Sequence, residues 1–403
     1  MSPTESEPTP APAGEAVVDW QILTGEYPPQ PGGVSDYTRL VAHALAAEGD
    51  RVTVWAPTCN GDDELHAGVV VRRLPDRFGR RSRALLAAEI DRGSPSARLL
   101  VQYVPHALGW KGANVPFCIW LARRRQPLWV MFHEVAYPFG ATHTLAENAL
   151  AIVTRRMAAI VARAADRIFV SIPAWRTVLE RLARPAAAVS WLPVPSSVPV
   201  IPDALGVDRV RAGISATAPI VGHLGTYGRL IRPMLVACVP RLLESTDCHL
   251  LLLGRGSSTM RDALVSSHAE WARRIHAAGD LAPDDLSRHV AACDVMLQPY
   301  PDGVSSRRTS VMVALAHGRP VVTTLGALSE PVWADADAAV LVSSDEPAGL
   351  ALATAALLQQ PSRRAGFAAR GRALYDGRFH LSHTVAALRA RAAASPFTGD
   401  KTR

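Results

Sequence analysis

Short apolar runs alternate with amphipathic segments along this chain from Val17 onward. The run at 17–23 predicts a buried strand, and a second short strand is predicted at 52–56. Between them lies a loop rich in glycine and proline, then a helix that Ser35 is placed to cap and Gly49 to end. The apolar positions of that helix share one face: Tyr37, Leu40, Val41, Ala44 and Leu45. Strand, glycine loop, helix and strand, in this order, open a doubly wound parallel sheet.

The same alternation continues and predicts two domains. Further strands are predicted at 99–104, 129–133 and 167–171, and in the second half at 219–224, 249–253, 294–299, 320–323 and 338–342. The stretch 193–202 carries four prolines and predicts the connection between the domains. We therefore predict an α/β fold of two Rossmann-like doubly wound domains that face a cleft, over 16–198 and 199–378. A disordered tail is predicted at 1–15, and a C-terminal segment with a frayed end at 379–403.

Composition and charge narrow the class of protein. At 403 residues and 48% hydrophobic, the chain is large enough for two cores, and it has no apolar run that could span a bilayer. Five scattered cysteines and the lack of a secretory signal predict reduced thiols in the cytoplasm. The net charge of +7 and the pI near 9.5 fit an anionic partner, such as a phosphate compound or a lipid headgroup. No nucleic-acid module is present, so we expect no nucleic-acid partner, whereas peripheral membrane contact is compatible with the charge.

Two glycine loops follow predicted strands. Gly32 and Gly33 precede the first helix, where backbone N–H groups and the helix dipole favour an anion, although a plain turn explains the two glycines equally well. The corresponding loop of the second half follows a more convincing strand, and its candidates for phosphate contact are Gly225, Thr226, Tyr227 and Arg229.

The loop at 298–310 concentrates hydroxyl groups and two arginines at the start of an apolar helix. Fixed guanidinium donors, hydroxyl groups and a helix N-terminus together suit a pyrophosphate. The alternative is that one of the two arginines ties the loop to an acidic neighbour. The candidates are Ser305, Ser306, Arg307, Arg308 and Thr309.

His133 and Glu134 end a predicted strand, which in such sheets faces the ligand crevice. We take them as catalytic candidates, in which the imidazole polarises a hydroxyl group and the carboxylate fixes the imidazole, although such pairs are often structural. Tyr103 and His106 follow another strand in the same way. Asp335 and Asp337 match a metal-binding DxD string but lie in an alanine-rich turn, so we predict no metal site.

The order Tyr27-Pro-Pro, Gly32-Gly-Val-Ser-Asp-Tyr37, Pro299-Tyr-Pro-Asp-Gly303 and Gly318-Arg-Pro-Val-Val322 resembles the retaining glycosyltransferases of family four, which have the GT-B fold. The resemblance implies an N-terminal acceptor domain, a C-terminal domain for the nucleotide-sugar, and a final helix that crosses back to the first domain. It implies no bound metal or resident cofactor, because the nucleotide-sugar is a co-substrate. Asp36, Tyr37, Tyr103 and His106 would then lie on the acceptor side.

The chain departs from that family at two motifs. The family commonly has Glu, seven residues and Glu beside the donor, whereas here the two positions are Ser305 and Val313, or Asp302 and Ser310. His223 stands where the family commonly has arginine. We interpret the chain as a subgroup without the Glu pair, in which the two arginines at 307 and 308 contact phosphate.

Together with this resemblance, the sequence predicts a bacterial glycosyltransferase that uses a nucleotide-diphosphate sugar and an unidentified acceptor; the resemblance implies that it is retaining, metal-independent and hexosyltransferase-like. Two alternatives stay open at this point. One is a catalytically inactive nucleotide-sugar-binding or regulatory protein, which the missing carboxylate pair allows. The other is a nucleotide-sugar epimerase of the same fold, which would act on the donor with no acceptor present.

Overall fold

The computed structural model describes residues 17–59 and 65–390. These residues form two α/β domains, each built on one sheet of mainly parallel strands. The prediction of two doubly wound domains is therefore confirmed. The tail predicted at 1–15 and the frayed end predicted after the last helix lie outside the described residues.

The first domain is an eight-stranded sheet in the order β3-β4-β2-β1-β5-β6-β7-β8, with only β3 antiparallel to its neighbour. The helices in the connections between parallel strands pack against the sheet. The elements are β1 Asp19–Thr24, α1 Gly33–Ala47, β2 Arg51–Pro57, β3 Leu65–His66, β4 Val69–Leu74, α2 Arg80–Arg92, β5 Arg98–Tyr103, α3 Val115–Ala122, β6 Leu128–Phe132, α4 Leu145–Ala164, β7 Arg167–Val170, α5 Pro173–Ala183 and β8 Val189–Trp191.

The second domain is a six-stranded parallel sheet in the order β11-β10-β9-β12-β13-β14. Its elements are α6 Ala204–Ile214, β9 Ile220–Leu224, α7 Arg232–Ser245, β10 His249–Leu253, α8 Ser257–Ser267, β11 Ile275–Gly279, α9 Pro283–Ala291, β12 Val295–Gln298, α10 Thr309–Ala316, β13 Val321–Leu325, α11 Val332–Asp335, β14 Val340–Ser343, α12 Gly349–Leu358 and α13 Pro361–Leu374. A single π-helical turn, Tyr375–Phe379, precedes the last helix, α14 Leu381–Arg389.

Both faces of each sheet are buried, so the central strands are almost wholly apolar. Every residue of β6 is buried, and alternate residues of β1 enter different clusters: Leu23 packs on one face, Trp20 and Ile22 on the other. Continuous burial of this kind is typical of parallel sheets covered on both sides. The two sheets end at the cleft, because the carboxyl ends of parallel strands all point to the same edge.

The start of α1 differs from the prediction. Ser35 is not the N-cap, since Gly32 occupies that position and the Ser35 hydroxyl donates instead to the carbonyl oxygen of Gln30 at 2.6 Å. The Glu26 carboxylate accepts hydrogen bonds from the N–H groups of Val34 and Ser35, both at 3.1 Å. A side chain from the preceding loop thus satisfies the free N–H groups of the helix.

The chain crosses between the domains twice. The first crossing runs from β8 to α6, and the second runs through the π-helical turn to α14, which packs on the first domain with Val385 and Leu388 buried in its core. Arg389 pairs with Glu48 at 3.0 Å. The crossings touch each other, because the Ser196 N–H donates to the Tyr375 hydroxyl oxygen at 3.2 Å.

Candidate active site in the interdomain cleft

The loop between β12 and α10 is folded against the neighbouring strand β13. The N–H of Tyr300 donates to Thr324 Oγ1 at 2.8 Å, and the N–H of Val304 donates to the Thr324 carbonyl oxygen at 2.7 Å. Gly303 has a φ of 85° and lies against the backbone of Gly326, where a β-carbon would collide with it. These contacts fix the loop that carries the predicted phosphate residues.

Arg307 and Arg308 both pair with Asp302, and neither side chain is turned to solvent, with 19% and 26% of its surface exposed. The sequence prediction allowed one arginine to be tied to an acidic neighbour, whereas here a single carboxylate holds both. Each guanidinium keeps a buried Nε atom without a hydrogen-bond partner. Arg307 also reaches the first domain, where NH1 lies 3.9 Å from Glu134 Oε1 and the guanidinium carbon lies 5.6 Å from the centre of the Trp175 ring.

Ser306 joins the two domains at the inner end of the cleft. Its Oγ lies 2.8 Å from the carbonyl oxygen of Ser171 and 2.5 Å from Glu330 Oε1, and it accepts a hydrogen bond from Trp191 Nε1 at 3.0 Å. Its carbonyl oxygen accepts from the Val194 N–H at 2.9 Å. Ser306 is therefore a structural residue of the domain contact, and its hydroxyl is not free for the phosphate contact that the sequence predicted.

Glu330 is a buried carboxylate that sequence analysis missed. It accepts hydrogen bonds from the Ser306 N–H at 2.9 Å and from Trp333 Nε1 at 2.7 Å. The partners in these hydrogen bonds are all uncharged, so uncharged N–H and O–H donors stabilise the carboxylate. The sequence offered one signal, an acidic residue between Ser329 and Pro331 after β13, but nothing that linked it to the loop 24 residues earlier.

Ser305 and Thr309 flank the arginines. Ser305 is fully buried and its Oγ has no hydrogen-bond partner. Thr309 begins α10 and faces the first domain, since a β-carbon added to Gly33 would lie 3.8 Å from Thr309 Oγ1. The first glycine loop and the arginine loop thus meet across the cleft.

The second glycine loop, after β9, bends tightly against Gly254, whose φ is 95° and which leaves no room for a β-carbon beside the Gly225 carbonyl group. Thr226 and Arg229 are exposed. Hydrogen bonds from Thr144 lower the pKa of Glu147 at the start of α4, and Arg229 lies near enough to add a small contribution of the same sign. The Tyr227 hydroxyl is buried and lies 3.2 and 3.0 Å from the carbonyl oxygens of His223 and Leu253, and a phosphate contact of Tyr227 stays a prediction.

His223 lies beneath this loop. Its Nδ1 is 2.8 Å from the Leu297 carbonyl oxygen, and its buried Nε2 has no partner and faces the bare backbone of Gly225. Burial lowers the pKa of His223 to about 4, so the ring is neutral at physiological pH. A neutral ring with a proton on Nδ1 leaves Nε2 as an acceptor, which does not suit contact with a phosphate oxygen.

The first glycine loop carries an internal anion. The Glu26 carboxylate already holds the N–H groups of Val34 and Ser35 and packs on Gly32. These two N–H groups are therefore occupied by the protein itself, while Gly33 faces Thr309 and Asp36 lies within charge range of Arg255 and Asp280 of the second domain. Burial is the main reason that the pKa of Asp36 is raised, and Arg39 opposes the shift.

The catalytic candidates separate into a buried and an accessible pair. His133 is buried, lies 2.8 Å through Nε2 from Gln102 Oε1, and packs edge-on against Tyr37 with ring centres 4.8 Å apart. Burial lowers the pKa of His133 to about 4. An amide and an aromatic side chain hold this buried neutral ring, and the contact of His133 and Tyr37 with a substrate stays a prediction.

Glu134 instead pairs with His106, whose Nδ1 lies 3.5 Å from Glu134 Oε2. The hydrogen bond to Glu134 raises the pKa of His106, and the same bond lowers the pKa of Glu134. Both side chains are well exposed to the cleft, at 70% and 45%. Tyr103 does not join them, because it is fully buried against Phe132 in the core, and its place on the acceptor side stays a prediction.

Over the described ranges 17–59 and 65–390, no cluster of three or more His, Cys, Asp or Glu side chains could hold a metal ion. No helix in this part of the chain is long and apolar enough to cross a membrane.

Two family models match this chain in sequence. Residues 32–195 match the glycosyl transferase 4-like domain, and residues 219–360 match the glycosyl transferases group 1. The two matches correspond to the two domains and include both glycine loops and the arginine loop. No curated protein matches the chain.

Solved structures of glycosyltransferases share the fold. Sucrose-phosphate synthase from Thermosynechococcus elongatus superposes with a TM-score of 0.70 at 18% identity, covering 92% of this chain and 97% of the other. Anabaena HepE in complex with UDP gives 0.65 at 17% identity, with coverages of 92% and 98%. The trehalose 6-phosphate synthase of Burkholderia multivorans gives 0.60 at 13% identity, with coverages of 93% and 100%. At these identities the likeness concerns the fold alone.

Proposed function

We propose that this chain, which is a glycosyltransferase of the group 1 family with a GT-B fold, transfers a sugar from a nucleoside diphosphate sugar to an acceptor hydroxyl group in the cleft between its domains. One observation carries the proposal for the donor. Arg307 and Arg308 are held side by side in the cleft by Asp302, with an unpartnered Nε on each.

The two arginines are the diphosphate contacts in this proposal. Desolvation and the neighbouring Arg308 both lower the pKa of Arg307, which shows that two cations lie close together with only Asp302 and Glu134 to offset them. A diphosphate supplies the missing negative charge, and bidentate guanidinium groups fit its oxygens. HepE was solved with UDP and with UDP-glucose, which makes these compounds the first probes.

The chemistry that follows is a displacement at the anomeric carbon with loss of the nucleoside diphosphate. As the glycosidic bond breaks, negative charge grows on the leaving phosphate, where the guanidinium groups stabilise it without a metal ion. Near the arginines, Glu134 and Asp302 are engaged in ion pairs and Glu330 is buried in hydrogen bonds, so each is already committed. We therefore propose retention by same-face attack, in which the departing phosphate accepts the acceptor proton.

On the acceptor side, we propose that His106 and Glu134 polarise and orient the acceptor hydroxyl group, the role that sequence analysis proposed for His133 and Glu134. Their side chains are exposed to the cleft, and Glu134 also lies 3.9 Å from Arg307. The pair can orient an acceptor hydroxyl group beside the donor, and its contact with Arg307 links it to the phosphate loop.

Binding of UDP and UDP-glucose by isothermal titration calorimetry tests the donor site. Arg307→Gln and Arg308→Gln each remove a charge-assisted hydrogen bond, which is worth about 1.5–3 kcal/mol, so each should weaken binding by roughly tenfold or more. Arg363→Gln, an exposed arginine on α13, is the matched control and should bind as the wild type. Unchanged affinity in both cleft variants would contradict the assignment.

A second measurement separates the transferase from its two alternatives. UDP-glucose labelled in the sugar is incubated with the enzyme, alone and with a panel of monosaccharides and monosaccharide phosphates. A transferase releases UDP and forms a new glycoside only when a suitable acceptor is present. Conversion of the sugar without any acceptor would identify an epimerase, and binding without turnover across the panel would favour the inactive binding protein.

A further inference from the structure

A basic surface lies on the first domain beside the cleft, and we define it as the residues of 76–92 and 105–125 that reach solvent. These segments contain nine arginine and lysine residues and three carboxylates, whereas the whole chain has an excess of seven positive charges. Most of the net charge therefore belongs to one part of one domain. The basic residues are Arg77, Arg80, Arg81, Arg83, Arg92, Lys111, Arg123, Arg124 and Arg125.

Tertiary contacts bring the segments together. Asn114 donates to the carbonyl oxygens of Phe78 and Leu108 at 3.2 and 2.8 Å, which joins the start of α2 to the loop after β5. Arg83 of α2 and Arg123 and Arg124 around the end of α3 line one shallow cavity of about 470 Å³. The Arg77 side chain packs against Gly109, next to Trp110.

The carboxylates of this surface are already engaged. Asp76 accepts hydrogen bonds from the N–H groups of Arg81 and Ser82 at the start of α2, at 3.0 and 2.9 Å. Asp91 pairs with Arg124 at 3.4 Å, and Glu89 pairs with Arg92 at 2.7 Å. The exposed Arg80, Arg123 and Arg125 form no ion pair with these three carboxylates, and only Arg81 lies beside Asp76.

Apolar side chains stand exposed among the cations. Trp110 is 54% exposed, Leu85 43% and Ile119 38%. Ile119 and Trp120 line the same cavity as Arg83, and the Arg124 guanidinium lies 4.6 Å from the centre of the Trp120 ring. Exposed tryptophan and aliphatic groups within an arginine-rich surface suit the boundary between lipid headgroups and acyl chains.

We propose that this surface docks the protein on an anionic membrane. Charge complementarity selects anionic lipids, the exposed Trp110 and Leu85 enter the headgroup region, and the mouth of the cleft then faces the bilayer, since His106 lies in the same loop as Trp110. The acceptor is accordingly presented at the membrane surface, a consequence that rests on the proposed function, whereas docking itself does not.

Sedimentation of the full chain with vesicles tests the docking. We expect binding to vesicles of equal parts phosphatidylglycerol and phosphatidylcholine, little binding to pure phosphatidylcholine, and loss of binding as salt is raised. The triple variant Arg80→Gln, Arg81→Gln, Arg123→Gln should bind on the order of a hundredfold more weakly, because each basic residue near an anionic surface contributes about a factor of five. Trp110→Ala should weaken binding less.

The matched control neutralises three exposed arginines of the second domain, Arg241→Gln, Arg273→Gln and Arg378→Gln, and should sediment as the wild type. Equal loss in the control and the test variant would overturn the proposal, as would failure of the wild type to sediment at low salt. Binding to a single-stranded RNA in place of vesicles would also overturn it. UDP affinity, measured on the same variants, should not change, so failure of docking and failure of the donor site give different results.

Discussion

His106 and Glu134 allow a prediction from the direction of their pKa shifts. The carboxylate raises the pKa of the imidazole above 6.5, so the ion pair exists below the raised pKa of His106 and above the lowered pKa of Glu134. In Glu134→Gln the first of these effects is lost, and the pKa of His106 should fall toward its ordinary value.

Titration of the His106 ring protons by NMR checks this shift. If the pair orients the acceptor, the alkaline limb of the pH–rate profile should move to lower pH in the same variant. His133→Gln is the control for this shift, because the buried His133 ring interacts with Glu134 only through charge, so the pKa of His106 should stay raised in this variant. A His106 pKa that does not respond to Glu134→Gln would contradict the pairing.

Sequence reasoning singled out His133, Glu134 and His106 but paired Glu134 with His133, whereas the structure pairs it with His106. His133 and Glu134 are adjacent at the end of β6, and side chains alternate between the two faces of a strand, so only one of them faces the cleft. The pattern could not show which, because β6 is buried on both faces. His106 follows the neighbouring strand β5, and the contact depends on the order of strands in the sheet.

Among the elements, the arginine loop offers a test of how rigidly it is held. Gly303→Ala forces a β-carbon against the Gly326 backbone and Ser329 Oγ, and it puts alanine at a φ of 85°. We expect a loss of roughly 1–3 kcal/mol in the free energy of unfolding and weaker UDP binding.

Thermal unfolding and calorimetry measure both effects. Gly213→Ala on α6 is the matched control, because its β-carbon meets open space within a helix, and it should be neutral or slightly stabilising. A Gly303→Ala variant as stable as the wild type would show that the loop can relax away from β13.

The sequence predicted elements well where strands are central and poorly at the sheet edges. The strands at the centre of both sheets were predicted within a few residues. The strands β3, β4, β8 and β11 were not, because polar residues interrupt them or because they are short, whereas the edge strand β14 was predicted. The Glu330 contact and the Glu26 cap were also missed, since each depends on a side chain from a loop that periodicity does not register.

For the whole molecule, two buried histidines predict acid sensitivity. His133 and His223 have pKa values of about 4 in the folded chain, against about 6.5 when unfolded. Below pH 6.5 the unfolded chain binds protons that the folded chain does not, so stability falls by roughly 1.4 kcal/mol per pH unit for each histidine down to about pH 4. Above pH 6.5 these two groups contribute no pH dependence.

Urea denaturation at several pH values between about 7.5 and 4.5, the range in which histidine titrates, measures how the free energy of unfolding changes with pH. His133→Gln should remove the contribution of one histidine to this pH dependence, and His223→Gln should remove the contribution of the histidine in the second domain. A stability that stays level as the pH falls through this range would contradict the burial of both rings.

The contact between the two crossings has a mechanical consequence. The two covalent connections meet where the Ser196 N–H donates to the Tyr375 hydroxyl oxygen, so we expect them to act as one hinge. Such a hinge allows the domains to open and close but resists twisting and sliding of one domain against the other. Ser306 lies close to this hinge through its bond from the Val194 N–H, whereas Arg229 and Glu147 lie on facing parts of the two domains. If the domains open about this contact, we expect the arginine loop to stay close to the first domain and the outer rim of the cleft to move furthest.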